Sequence, residues 1–135
     1  MPVTYIVDVD GRMLRTACTN PLKFADVVDH FHQLKMDPLC AGPLDVLLDV
    51  STTDFLPQST QLGAVVSEIA GIQEKVQFGY CAIVATNDAM FGMMRMFEVV
   101  ARGYFRATRV FRGMKEAEAW LTAQRAGDNS DELAG

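Results

Sequence analysis

The spacing of apolar residues changes from one segment of this chain to the next, and each change predicts an element. Residues 4–9 and 12–18 are rich in β-formers and flank Asp10-Gly11. A turn pair between two such runs predicts an antiparallel hairpin. Asn20-Pro21 reads as a helix start, with Asn as the cap and Pro in the first turn. Phe24, Val27, Val28, Phe31 and Leu34 then recur at helical spacing. Asp37-Pro38 and Gly42-Pro43 bracket a loop.

Residues 44–50, Leu-Asp-Val-Leu-Leu-Asp-Val, have a nearly continuous apolar middle. That pattern fits a parallel strand covered on both faces. A polar loop over 51–54 leads to a helix opened by Ser59 or Thr60, with Leu62, Val65, Val66, Ile69 and Ile72 inward. Residues 79–85 are the next buried strand. Asn87 or Asp88 caps a Met-rich helix running to about Arg102. Residues 108–112 form the last strand and 114–123 the last helix. The predicted order is β-β-α-β-α-β-α-β-α. It implies an α/β fold with a five-stranded mixed sheet, strand 1 antiparallel at the edge, built by right-handed crossovers. Residues 1–123 form the domain. Residues 124–135 are acidic and poor in bulky apolar groups, which predicts a disordered tail.

Composition narrows the function classes. The chain has 135 residues and a formal net charge of -5, which argues against nucleic acid or an anionic membrane as the main partner. No apolar run approaches the ~20 residues that span a bilayer, and no signal peptide is evident, so the expected location is cytoplasmic. The three cysteines, Cys18, Cys40 and Cys81, show no paired spacing, which fits a reducing compartment. Cys40 lies in a loop flanked by Pro and Gly, where a thiol could be reactive. Arg102, Arg106, Arg109 and Arg112 gather late in the chain and could meet an anion.

The chemistry-bearing residues form no catalytic signature. His30 and His32 are the only histidines, and Asp26 and His30 share a helix face four residues apart. A metal site needs three or more converging ligands; none is predicted, and His30 is expected on a solvated face. Asp49, Ser51, Asp54, Thr86, Asn87 and Asp88 fall at the carboxyl ends of two parallel strands. Ligands bind at that edge in open α/β sheets, although these are also ordinary capping and turn residues. No Gly-rich phosphate loop and no nucleophile elbow occur. An enzyme would need Asp49, Asp54 and His30 to converge. No cofactor is implied.

The Met-rich helix carries more apolar side chains than one buried face requires: Met90, Phe91, Met93, Met94, Met96, Phe97, Val99 and Val100 leave only a narrow polar stripe. Three explanations stand: a helix buried by its neighbours, a homodimer interface, or a cleft for an apolar ligand with Met90, Met93, Met94 and Phe97 as walls.

Taken with Asp10-Gly11, Leu47-Leu48-Asp49-Val50, the run from Phe91 to Glu98, Arg109-Val110-Phe111-Arg112 and the run from Glu116 to Leu121, the element order resembles the STAS (SpoIIAA-like) domain. Over roughly residues 3–122 it is most similar to bacterial stand-alone STAS/SEC14-like proteins, related in fold to the CRAL-TRIO lipid-binding domains. The resemblance implies a non-catalytic, regulatory protein-interaction module, with a carrier of a small apolar or lipid-like ligand as the alternative. A third implied role is a phospho-switched anti-sigma-factor antagonist, with Ser59 or Thr60 as acceptor. The stretch Asp54-Phe55-Leu56-Pro57-Gln58-Ser59-Thr60 departs from the Asp-Ser-Ser-Gly-like turn of signalling STAS domains.

Overall fold

Five strands hydrogen-bond in chain order into one mixed sheet: β1 (Val3–Asp8), β2 (Met13–Thr19), β3 (Gly42–Thr52), β4 (Val76–Val84) and β5 (Ala107–Phe111). β1 is antiparallel to β2, and every later pair is parallel. Four helices complete the fold: α1 (Phe24–Met36), α2 (Ser59–Ile72), α3 (Asp88–Val100) and α4 (Met114–Ala134). The computed structural model describes residues 2–134, with side chains described to Asp128. The class and order are those the periodicity predicts.

The strands advance in one direction across the sheet, so crossovers of a single hand must all lie on one face. Accordingly α1 packs on α2 and α2 on α3. Beneath them is the larger core, with Leu14, Leu34, Leu44, Ile69 and Ile83 almost wholly buried. α4 follows the last strand, has no crossover to make, and takes the opposite face. There it buries Ala117 and Leu121 against Met13, Leu47, Tyr80 and Ala82.

Several local expectations are corrected. The hairpin loop is four residues long, because Asp8 pairs with Met13. Its left-handed residue is Arg12 (φ 50°), not Gly11. Arg12 then turns its guanidinium onto the carbonyls of Leu39, Ala41 and Pro43, at 3.1, 2.8 and 2.9 Å. Asn20 does not cap α1. The helix begins at Phe24, where the Asp26 carboxylate accepts the Lys23 N–H at 2.8 Å. Asn20 Oδ1 instead accepts from Thr53 Oγ1 and the Asp54 N–H, tying the end of β2 to the loop after β3. α2 is capped by Gln58, whose N–H is taken by the Gln61 side chain at 2.8 Å, so neither Ser59 nor Thr60 caps it.

β4 starts at Val76, three residues before Gly79, because Gly79 lies within a bulge and not at a strand end. Leu44 pairs with Phe78 and Val46 with Cys81, so Gly79 and Tyr80 together oppose Asp45. The Tyr80 N–H released by the bulge donates to Asp45 Oδ1 at 2.8 Å.

The last helix runs past 123 to Ala134. Arg125 Nε lies 3.1 Å from Asp45 Oδ2, and its guanidinium also donates to the Gly11 carbonyl. Asp128 accepts from Tyr80 Oη at 2.8 Å and pairs with Arg106. Arg125 and Asp128, expected in a disordered tail, are therefore docked on the domain. Their composition is polar because their partners are polar. The side chains expected in the rest of that tail lie outside the described residues.

Candidate functional site

The space between the sheet and the crossover helices is not filled. β2 and β3 supply its floor with Leu14, Thr16, Cys18, Val46, Leu48 and Val50, alternate residues that share one face. α1, α2 and α3 supply the roof. The cavity is about 140 Å³ and its lining is almost wholly apolar. Leu14, Leu34 and Ile69 are buried in its depth, while Leu22, Phe31, Phe55 and Val65 are half-buried and mark its rim. Protein interiors pack as densely as organic crystals.

The Met-rich helix divides its apolar residues between two surfaces. Met90, Met94 and Phe97 are buried and line the cavity, at positions i, i+4 and i+7. Met93, expected beside them, is half-buried and lies off the lining. Its angular position on the helix, not its residue type, takes it away. Met96, Val99 and Val100 face outward, with 46%, 59% and 43% of their surface exposed.

His30 is the polar feature of the cavity. It is not on a solvated face: only 8% of its surface is exposed. Its Nε2 lies 3.3 Å from Thr16 Oγ1. The Tyr5 ring stands edge-on at 5.4 Å between centroids, and the Phe31 ring is at 5.7 Å. Burial without a charged partner lowers its pKa to about 4, so the imidazole is neutral at pH 7. The signal available in the sequence was position: His30 follows the inward residues of α1, between Val27 and Leu34.

The strand-edge residues are employed locally and do not converge on one site. Asp49 Oδ1 accepts from the Ser51 N–H and Oγ, at 2.9 and 2.5 Å. Asn87 is the cap of α3, taking the Met90 N–H at 2.7 Å. Asp54 is exposed, and its N–H is used by Asn20. Asp88 is exposed and pairs with Arg112 at 2.6 Å. Thr86 Oγ1 reaches the Ser51 carbonyl at 3.5 Å. Strand alternation sends Asp49 to the face opposite Leu48 and Val50, away from the cavity and from His30. Ser59 and Thr60 are exposed in the first turn of α2.

Three of the four late arginines lie over aromatic rings. Arg112 lies 4.0 Å from the Phe91 ring centre, Arg106 5.1 Å from Tyr80 and Arg109 5.4 Å from Phe111. Cys40 is fully buried rather than reactive, and burial raises its pKa to about 11. Cys18 and Cys81 both line the cavity, and burial pushes them to about 11 and about 12. Among the described residues no group of three His, Cys, Asp or Glu side chains is placed to hold a metal ion. None of the described helices is long and apolar enough to cross a membrane.

No protein-family model matches this chain, and no curated protein matches it significantly.

Proposed function

We propose that this protein is a non-catalytic, STAS-like module that holds a small apolar molecule between its sheet and its crossover helices. The observation that carries this reading is the apolar cavity of about 140 Å³. A cavity of ~150 Å³ with comparable lining stays dry and accommodates benzene. Methionines at 90 and 94 give the roof side chains that can adjust to different shapes. The element order, with a hairpin ahead of three crossovers, supports the STAS-like assignment and its kinship with lipid-binding CRAL-TRIO domains. The absence of catalysis is supported by placement. Asp49 and Asp54 are at the strand edge, and the neutral His30 is inside the cavity, so acid, base and nucleophile do not converge.

The test is thermal unfolding with and without toluene. A ligand at about 100 times its Kd adds about 2.7 kcal/mol to stability, so the wild-type Tm is expected to rise by several degrees. Leu48→Trp, which sends an indole up from the sheet floor, is expected to abolish that rise while keeping the fold. An unchanged wild-type Tm across the soluble range of toluene would reject the reading.

A homodimer or a regulatory partner is the second reading, and the outward face of α3 favours it. Met96, Val99 and Val100 form an apolar strip on the surface of an acidic chain. In sedimentation at micromolar concentration a dimer is expected, and Val99→Glu should convert it to monomer. A wild-type monomer would remove the homodimer.

A further inference from the structure

Among the described residues, His30 Nδ1 is a buried side-chain polar atom with no hydrogen-bond partner. The residue is more than nine-tenths buried, and it lines the cavity. A buried nitrogen left unpaired costs about 1–3 kcal/mol. The protein groups nearby are already engaged. Thr16 Oγ1 meets the other ring nitrogen. Tyr5 Oη turns away to donate to Asp37 Oδ2 at 2.7 Å. Thr53 Oγ1 donates to Asn20 Oδ1 and accepts the Phe55 N–H. A lone water would fit poorly, because buried waters need two to four polar partners and this lining offers almost no free ones.

Resting on the reading that the cavity holds an apolar molecule, we propose that this molecule carries one neutral hydroxyl group, hydrogen-bonded to His30 Nδ1. Its apolar body lies among Leu14, Val46, Met94 and Phe97. A hydroxyl suits either tautomer of the ring. If Thr16 donates to Nε2, then Nδ1 carries the proton and the hydroxyl accepts. If Nε2–H donates to Thr16, then Nδ1 is bare and the hydroxyl donates. A carbonyl could satisfy only the first state. A carboxylate would bring an ion into a cavity whose lining offers no cation to pair with it, a costly transfer. The ligand class is therefore a small alcohol or phenol, and selectivity resides in one nitrogen.

Phenol and toluene separate the possibilities, since they have the same number of heavy atoms and differ in the hydroxyl. Affinities for both are measured by titration of the wild-type protein and of His30→Phe, which keeps a ring between Tyr5 and Phe31. The phenol-to-toluene affinity ratio is expected to fall at least tenfold in His30→Phe. Independently of any variant, the ¹⁵N resonance of His30 Nδ1 in the wild type should move on adding phenol and stay nearly still on adding toluene. Toluene binding with an unmoved ratio, or with an Nδ1 resonance indifferent to phenol, overturns the hydroxyl assignment and leaves the apolar cavity standing. Binding of neither probe overturns the cavity reading and this inference with it. Should His30→Phe fail to fold, the resonance measurement decides.

Discussion

Replacing Gly79 with alanine is expected to cost about 3 kcal/mol of stability, and the reason is one carboxylate. The backbone at Gly79 is not in the left-handed region, so conformation alone does not demand glycine there. What demands it is Asp45. A methyl group on residue 79 would fall on Asp45 Oδ1. That oxygen holds the Tyr80 N–H at the bulge, and its twin is paired with Arg125. Displacing the carboxylate strands a backbone N–H and loosens α4 together. An unpaired buried donor alone costs about 1–3 kcal/mol. Asp45→Ala is expected to lose a similar amount for the same reasons. The decisive measurement is the double-mutant cycle by chemical denaturation. Once Asp45 is alanine, the clash has no object, so adding Gly79→Ala should cost little more. Additive losses, or a Gly79→Ala variant within about 0.5 kcal/mol of wild type, would show that the bulge does not depend on this contact.

Stability is also expected to fall by about 3 kcal/mol as pH drops from about 6.5 to about 4, owing to His30 alone. Its pKa is about 4 in the folded protein, against the ordinary 6.5. Between those values the unfolded chain binds a proton that the folded chain refuses, and stability must rise with pH where the unfolded state holds more protons. The contribution is complete above about 6.5, is lost progressively on acidification, and levels off below about 4. The groups around the ring do not blur this. Thr16 and Phe31 do not ionise, and burial with the Asp37 hydrogen bond holds Tyr5 up at about 12. Surface carboxylates titrate in the same range, so the quantity to measure is the difference between wild type and His30→Phe in denaturant midpoints from pH 7 to pH 4. The wild type should show the steeper acid loss. Parallel curves would mean that His30 opens to water before it protonates.

The two effects come from residues that the primary pattern treats very differently. Strand and helix periods arise from side chains meeting one core, so they are visible locally. The buried run 44–50 and the inward stripe of α2 could be read directly, and the cap of α3 is narrowed to Asn87 or Asp88, of which the structure uses Asn87. The strand-edge residues Asp49, Ser51 and Asp88 are also where the topology predicts them, and there they serve turns and an ion pair. Gly79 was harder to read, because a glycine before an apolar run looks like a strand boundary. Only its pairing opposite Asp45 reveals a bulge. The helical stretch after 123 was hidden for a related reason. Arg125 and Asp128 look like solvated tail residues until Asp45, Tyr80 and Arg106 come within reach.

The amino-acid sequence by itself determined the number, type and order of the elements, the mixed five-stranded sheet and an acidic chain with no spaced catalytic or metal motif. Those properties depend on short-range periodicity and on composition, which need no knowledge of distant contacts. Tertiary structure alone decided that Met93 lies off the lining that Met90, Met94 and Phe97 share, that β2, β3 and three helices leave an apolar space unfilled, and that His30 ends there with one nitrogen unpaired. A cavity is a volume that no residue occupies. It depends on how far separate elements stand apart, and no local pattern of side chains records that distance.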